Sequence, residues 1–217
     1  MSFAPEGWPF IIPTWLLVAL GAWAVARGME WLVLPEAVLG LLAIWLLVFF
    51  RNPTRTGPRG DALIIAPADG QIVEIARVNE GMYLDAGATR ISTFMNVFNV
   101  HVNRYPVSGE VELVRYNPGK FLHAGAPKAS LENEQSSIGI RGSRGKVLVR
   151  QIAGLIARRI VTDSHAGTRA VQAERMGMIR FGSRVDVFIP DSTPVRVNVH
   201  VGDRVRTGTT VLAEYTA

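Results

Sequence analysis

Two long apolar stretches open the chain and set its N-terminal quarter apart from the rest. Residues 8–25 contain no charged residue, and neither do residues 37–50. A membrane-spanning helix needs about 20 mostly apolar residues. The first stretch is long enough, whereas the second is short and would either span a locally thinned bilayer or only dip into it. The pattern predicts a membrane-associated helical hairpin over residues 1–50 and leaves the number of full crossings open.

Positive charge after the second stretch sets the predicted orientation. Arg51, Arg55 and Arg59 lie in a linker rich in Pro and Gly, residues 51–60, and basic residues beside a membrane segment are typical of its cytoplasmic side. A secretory signal peptide fits less well, because no Lys or Arg precedes the first apolar run and no small-residue cleavage site follows it. We therefore expect attachment to the cell (inner) membrane, with the remaining domain on the cytoplasmic side.

From about residue 61 the pattern changes to short runs of β-branched and aromatic residues broken by Gly, Pro, Asn and Asp. Such runs predict strands, while helical periodicity is confined to residues 126–136 and 153–159. Residues 61–217 are thus predicted to form one mainly β domain, sandwich-like or barrel-like, with a few short helices. The predicted strands cover residues 63–65, 71–76, 89–97, 110–116, 146–152, 185–189, 195–201 and 209–214.

Two segments of this domain have a sequence pattern similar to that of lipoyl and hammerhead sandwich domains. Residues 67–73 are similar to the opening strand of such domains, and residues 199–208 to their closing turn, where Gly supplies positive φ. The similarity supports one alternative function, a membrane-anchored lipoyl-like adaptor or binding domain without catalysis. A carrier function fits poorly, because no Lys stands at a hairpin tip beside Met or Asp.

Composition narrows the chemistry that remains. The chain has no Cys, which excludes thiol nucleophiles, thiolate metal sites and disulfides. The net charge of +5 favours an anionic partner. The apolar hairpin makes an acidic membrane surface the expected partner rather than nucleic acid.

The most unusual dipeptide is Gly182-Ser183, which interrupts an apolar, β-prone run over residues 178–190. Gly weakens a strand interior and commonly marks a bulge or a close backbone approach. A bulge here would strain one carbonyl beside a hydroxyl that can act as a nucleophile. The same dipeptide at residues 142–143 lies among Arg and Gly and predicts an ordinary hairpin turn. The contrast indicates that the protein cuts its own chain between Gly182 and Ser183.

Two further residues are candidates for catalysing the cleavage of the bond between Gly182 and Ser183. His101 follows an apolar strand and shares a face with Asn99 and Asn103. It is either a structural histidine or a general base. Asp69 precedes a Gly at the start of a strand, where it is either a turn residue or the carboxylate that orients the imidazole in an Asp-His-Ser relay.

Taken in order, the motifs of the chain match those of one family along nearly its whole length. The segments most diagnostic of it are the block around His101 and the block around Gly182-Ser183. The resemblance is to the short, bacterial-type phosphatidylserine decarboxylase proenzyme, a pyruvoyl-dependent decarboxylase. Longer family members have a second His where this chain has Asn103-Arg104, so His101 would serve more than one step. The matching segments include Phe49-Phe50-Arg51-Asn52-Pro53, Pro67-Ala68-Asp69-Gly70, Asn99-Val100-His101-Val102-Asn103-Arg104, Gln151-Ile152-Ala153-Gly154 and Phe181-Gly182-Ser183-Arg184.

The resemblance implies both a self-processing reaction and an enzyme activity. His101, oriented by Asp69, would take the hydroxyl proton of Ser183, and the chain would separate into a β chain, residues 1–182, and an α chain, residues 183–217. Ser183 would become a pyruvoyl cofactor that forms a Schiff base with the substrate amine, with no metal and no PLP. The enzyme would be a carboxy-lyase that converts phosphatidylserine into phosphatidylethanolamine and CO₂ in phospholipid biosynthesis.

The resemblance leaves several points open. The two fragments would remain together as a heterodimer, and a homo-oligomer is an open alternative. The stretch at residues 121–135, with His123 and Lys128, would either contact the substrate headgroup as a lid or form a solvated amphipathic helix. A membrane-anchored serine hydrolase is a rival, although the chain lacks a Gly-x-Ser-x-Gly elbow. A pyruvoyl enzyme for a soluble amino acid is another, against which the apolar hairpin argues.

Overall fold

The chain divides into two compact units, Met1–Thr54 and Arg55–Ala217. The computed structural model describes residues 2–119, 133–154, 159–180 and 183–216. The first unit is helical and the second consists of β-sheets.

The first unit is a hairpin-like pair of apolar helices, α1 at Trp8–Ala26 and α2 at Val33–Phe49. The two helices pack against each other. Strand β1, Ser2–Phe3, pairs with β2, Arg51–Asn52, and brings the two ends of the unit together. This arrangement confirms the predicted hairpin-like pair of apolar helices.

Both helices are long and apolar enough to cross a membrane. With their short 3₁₀ extensions they cover Pro5–Ala26, with a mean hydropathy of 1.8, and Glu30–Phe49, with a mean hydropathy of 2.4. Large apolar side chains such as Trp31, Leu34 and Leu41 are exposed on them. A helix that is apolar on all sides and unburied by protein suits a lipid environment. The first unit therefore indicates membrane association.

The second unit is built from fourteen described strands, all paired antiparallel. Its mainly β character is as predicted. The strands are β3 Leu63–Ile65, β4 Gly70–Glu80, β5 Ala86–Met95, β6 Val102–Arg104, β7 Gly109–Asn117, β8 Gln135–Gly142, β9 Gly145–Ala153, β10 Ile160–Thr162, β11 Arg169–Ala170, β12 Arg175–Ile179, β13 Ser183–Pro190, β14 Val195–Val197, β15 Arg204–Val205 and β16 Val211–Tyr215.

The strands form one large sheet and two small ones. The large sheet has the order β11-β7-β8-β9-β13-β5-β4-β15, and the small sheets have the orders β10-β12-β6 and β14-β16-β3. Strand β13 lies near the middle of the large sheet, hydrogen-bonded to β5 on one side and β9 on the other, and every one of its residues is buried. The apolar core packs against this strand and includes Met95, Ala153 and Val185. The fold thus places Ser183, the first residue of β13, inside the protein.

The predicted short helices are the main difference between sequence pattern and structure. Gln135 and Ser136 close the first predicted helix but begin β8, and Ala153 opens the second but ends β9. The remainder of both segments lies largely outside the described residues. Cross-strand pairing of Ser136 with Gln151 holds this part of the chain extended, because pairing with a neighbour outweighs local propensity.

Candidate active site

Ser183 occupies the first position of β13 and is fully buried. Its register partners are Met95 on β5 and Ala153 on β9. Among the residues that the structure describes, none forms a hydrogen bond with Ser183 Oγ. A buried hydroxyl without a partner costs about 1–3 kcal/mol, so its retention points to a chemical role. Gly182, the other half of the predicted cleavage bond, lies outside the described residues.

His101 is fully buried directly before β6. Its Nδ1 lies 3.0 Å from the carbonyl oxygen of Asn99. Because a carbonyl only accepts hydrogen bonds, Nδ1 carries a proton, and in the neutral form of the ring the lone pair then lies on Nε2. This tautomer is the one a general base requires.

The backbone places His101 beside the segment that leads to Ser183. The N–H of Ile179 donates to the carbonyl oxygen of His101 at 3.4 Å, and Ile179 ends strand β12, four residues before Ser183. Strands β6 and β12 are hydrogen-bonded neighbours. Sequence positions about 80 residues apart are therefore brought to one place by the small sheet.

Asp69 lies in a bend directly before β4 and is almost completely buried. Its Oδ2 accepts a hydrogen bond from Arg55 Nη2 at 2.7 Å, and its Oδ1 accepts one from the backbone N–H of Thr207 at 2.7 Å. Within the described structure, Asp69 thus ties a linker residue to a turn near the C-terminus. The orientation of His101 by Asp69 stays a prediction.

Two predicted substrate-binding residues, His123 and Lys128, lie outside the described residues. The structure instead reveals a cleft of about 280 Å³ beside the His101 loop. Asn96 and Asn99 line the cleft together with Arg204, and Phe98 stands at it with 66% of its surface exposed. A guanidinium group, two amides and an exposed ring suit an anionic group carried on a lipid.

The sequence analysis missed two buried polar residues on the Ser183 side of the large sheet. Gln151 precedes Ala153 by two positions on β9, so it shares the face of Ser183. Gln151 Nε2 donates to Asn103 Oδ1 at 2.8 Å, and both residues are fully buried. The available signal was a glutamine at a core-facing position of an otherwise apolar strand.

The opposite face of β13 carries a buried ion pair. Arg184 Nε donates to Asp186 Oδ1 at 2.6 Å, and Arg184 Nη2 donates to Ser92 Oγ at 2.7 Å and to Glu74 Oε2 at 3.2 Å. Only 1% of the Arg184 side chain is exposed. These contacts join the strand that begins at Ser183 to β4 and β5 immediately behind the candidate nucleophile.

A pyruvoyl group derived from Ser183 fits this site. It would lie buried between Met95 and Ala153, at the end of a strand held on both sides, and its precursor hydroxyl is already unpartnered. In the described parts of the chain, no three His, Asp or Glu side chains come together as a metal site requires.

Comparison with known proteins agrees with the geometry. A sequence model of the phosphatidylserine decarboxylase family matches residues 42–213. The phosphatidylserine decarboxylase proenzyme of Nitrosomonas eutropha is 49% identical over 213 residues, covering 98% of this chain and 94% of the relative. The proenzyme of Nitrosomonas europaea is 47% identical over 215 residues, again covering 98% and 94%. The resemblance found in the sequence is confirmed: the chain belongs to the phosphatidylserine decarboxylase family.

Proposed function

We propose that the chain is a proenzyme that cuts itself between Gly182 and Ser183 and then decarboxylates phosphatidylserine to phosphatidylethanolamine and CO₂. The observation that carries the proposal is the buried, unpartnered hydroxyl of Ser183 at the start of β13 in a chain of this family. If the chain were an adaptor without catalysis, nothing would explain why an unpartnered hydroxyl is kept in the core.

Self-cleavage begins with proton transfer. Nε2 of His101 takes the hydroxyl proton of Ser183, and Oγ adds to the carbonyl carbon of Gly182. The C–N bond between the two residues breaks, its nitrogen takes a proton, and Gly182 is left as an ester on Oγ. The Nδ1 hydrogen bond to Asn99 keeps the ring in the tautomer that this transfer needs.

Elimination then separates the two chains. Removal of the Cα proton of Ser183 breaks the Cβ–Oγ bond and leaves Gly182 as a free carboxylate. Residue 183 becomes dehydroalanine, and water replaces its nitrogen, which departs as ammonia. The product is a pyruvoyl group at the start of an α chain, residues 183–217, and a β chain of residues 1–182.

The sheet explains how the fragments would stay together as a heterodimer. The α chain begins with β13, whose eight residues all pair with β5 and whose first six also pair with β9, both strands of the β chain. Hydrogen bonds from Arg184 to Ser92 and Glu74 would add further contacts between the α chain and the β chain. The reactive end of the α chain would therefore remain buried after cleavage.

A pyruvoyl carbonyl supplies an electron sink for an amine substrate as its carboxylate departs. The protein would contribute water exclusion through Met95 and Ala153, and His101 as the proton donor, since its reference pKa of about 6.5 permits both donation and acceptance. The anionic headgroup would enter through the cleft lined by Arg204.

The membrane helices would hold the enzyme where its substrate resides. Withdrawing a diacyl lipid from the bilayer costs about 0.8 kcal/mol for each CH₂ exposed, so chemistry at the surface is favoured. Arg51, Arg55 and Arg59 follow α2, which supports a cytoplasmic position for the second unit at the inner membrane.

The test is the intact mass of the purified protein under denaturing conditions, beside a Ser183→Ala variant. We expect two fragments from the native chain, the smaller with a blocked pyruvoyl terminus, and one uncut chain from the variant. The cleaved protein should release CO₂ from phosphatidylserine vesicles, whereas the variant should not. An uncut native chain that still released CO₂ would overturn the proposal.

A further inference from the structure

A run of hydrogen bonds between side chains that are buried, except for the half-buried Thr162, ends beside the predicted nucleophile. Ser136 Oγ lies 2.9 Å from Thr162 Oγ1, which donates to Gln151 Oε1 at 3.0 Å. Gln151 Nε2 donates to Asn103 Oδ1 at 2.8 Å, and Asn103 Nδ2 points to Met95 Sδ at 3.7 Å. We call these four polar side chains, from Ser136 to Asn103, the amide relay.

The amide relay runs in one direction. Thr162 has a single hydroxyl hydrogen, which goes to Gln151, so Ser136 must donate to Thr162. Because the Gln151 oxygen is then occupied, its amide nitrogen faces Asn103. Asn103 accepts through Oδ1 and is left with Nδ2 pointing away from Gln151. Bonds aligned in this way polarise one another and strengthen the final donor.

Strand register places that final donor over the reacting residue. Met95 is the direct partner of Ser183 on β5, and directly opposite residues project their side chains from the same face. Gln151 lies on that face as well, two positions before Ala153, the other partner of Ser183. Asn103 bonds to Gln151 and reaches Met95, so its amide lies over the same part of the sheet.

Asn103 Nδ2 is a donor without a strong acceptor, and Ser183 Oγ is an acceptor without a donor, among the described residues. A thioether is a weak acceptor, and it is the one acceptor that the described structure gives to Asn103 Nδ2, an amide with two hydrogens. Ser183 Oγ has no partner among the described residues. Both groups are fully buried, so each lacks the partner that the other could provide.

We propose that Asn103 Nδ2 donates a hydrogen bond to Ser183 Oγ during self-cleavage, with Gln151, Thr162 and Ser136 acting through Asn103 as positioning residues. The inference rests on the proposed function. Negative charge develops on Oγ when His101 takes its proton and again when the Cβ–Oγ bond breaks. A donor fixed beforehand stabilises charge at both points without reorganising.

The first test measures the rate of self-cleavage in the full chain, synthesised cell-free in the presence of lipid vesicles and quenched at intervals for intact mass. Asn103→Ala should slow cleavage by about 10²–10³-fold, the usual effect of removing one such donor. The matched control is Ser164→Ala. Ser164 is also buried, and its hydroxyl bonds to a side chain outside the relay, Tyr105 Oη at 2.6 Å, so its removal should leave the rate unchanged.

The second test separates donation from packing. Asn103→Asp keeps the shape but donates only when the carboxyl is protonated, and burial favours that neutral form. Because both proteins keep His101, the ratio of the Asn103→Asp cleavage rate to the native rate should rise as the pH falls from 8 to 6. Gln151→Leu removes the donor to Asn103 Oδ1, so the Asn103 amide would no longer be held in this orientation and cleavage should slow although residue 151 need not touch Ser183.

The outcomes distinguish this inference from the proposed function. A native chain that never cleaves would overturn both. A native chain that cleaves, with Asn103→Ala cleaving equally fast, would overturn the relay alone. If Asn103→Ala fails to fold, the pH profile of Asn103→Asp decides, and a profile parallel to that of the native chain would reject the inference.

Discussion

At the scale of single residues, the site combines a buried hydroxyl with an imidazole in a defined tautomer. Ser183 Oγ lacks a partner among the described residues, while His101 Nδ1 is engaged by the Asn99 carbonyl. The first feature destabilises the fold and the second readies Nε2 to accept a proton. Together they are the two features that the proposed self-cleavage requires.

Replacing His101 by Ala should slow self-cleavage by about 10²–10⁴-fold, because a general base commonly contributes that much. His200→Ala provides the matched control, since the His200 side chain is 90% exposed and lies in a turn after β14. Time courses of intact mass for the two variants and the native chain measure the effect. A native rate of self-cleavage in His101→Ala would show that His101 takes no part in the reaction.

How far the site could be predicted depends on how local its signals are. Ser183 and His101, whose roles stay predictions, could be proposed from the sequence because a Gly-Ser pair within a β-prone run and a His between Val residues are visible within a few positions. Asn103 and Gln151 were missed because their contact joins strands 48 positions apart. The bond between Asp69 and Thr207 spans 138 positions, and no local pattern specifies it.

At the scale of secondary-structure elements, length alone does not decide which strands the sequence predicts, because the three-residue β3 was predicted whereas the eight-residue β8, Gln135–Gly142, was not. The predicted runs at residues 110–116 and 146–152 match β7 and β9 within a residue at each end, because alternation over seven residues is a strong signal. Strands β6 and β10 have three residues each and exist through pairing with β12. Pairing partners, rather than local sequence, decide such short elements.

The ion pair on β13 offers a test of how that strand is held. Arg184→Met would remove the guanidinium that donates to the buried Asp186 carboxylate, and breaking a buried ion pair typically costs about 3–5 kcal/mol. The double variant Arg184→Met, Asp186→Leu should lose much less, because the buried carboxylate is removed together with its cation. Thermal unfolding in detergent, followed by far-ultraviolet circular dichroism on the uncut Ser183→Ala background, compares them. Equal losses in the two variants would contradict this account.

The turn between β4 and β5 should make the protein sensitive to acid. Burial alone would raise the pKa of the Glu80 carboxyl, but hydrogen bonds from the backbone N–H groups of Leu84, Tyr83 and Met82, with the charge of Arg150, outweigh it and lower the pKa below its ordinary 4.5. A lowered pKa in the folded state means that the carboxylate stabilises the fold above about pH 4.5 and loses that contribution as the pH falls through the folded value.

Glu80→Gln should therefore be less stable than the native sequence at pH 7, and the difference should narrow below pH 4.5. Melting temperatures of both proteins on the Ser183→Ala background, from pH 7 down to pH 3, measure this convergence. Glu30→Gln in the apolar unit serves as a control that leaves the turn intact. A gap that stayed constant with pH would show that Glu80 acts by packing rather than by charge.

At the scale of the whole molecule, charge and apolar surface are divided between the two units. The unit Met1–Thr54 contains 2 of the 23 Lys and Arg and 3 of the 18 Asp and Glu, so the unit Arg55–Ala217 carries a net charge of +6. The apolar hairpin was predictable because some 20 apolar residues need no tertiary information to be recognised. The apolar segments and the excess of positive charge thus lie in different parts of the chain.

Removing residues 1–50 should separate self-cleavage from action on a bilayer. The described register partners of Ser183, Met95 and Ala153, belong to the second unit, so the shortened chain should still divide after Gly182. Its activity on phosphatidylserine in vesicles should fall at least tenfold, while its activity on phosphatidylserine dispersed in detergent should match that of the full chain. The remaining vesicle activity would depend on basic residues, each worth about 1 kcal/mol near an anionic surface. It should therefore decline with added salt, because the screening length is only about 10 Å at 0.1 M. Equal activity of both chains on vesicles at every salt concentration would show that the helices do not serve to hold the enzyme at its substrate.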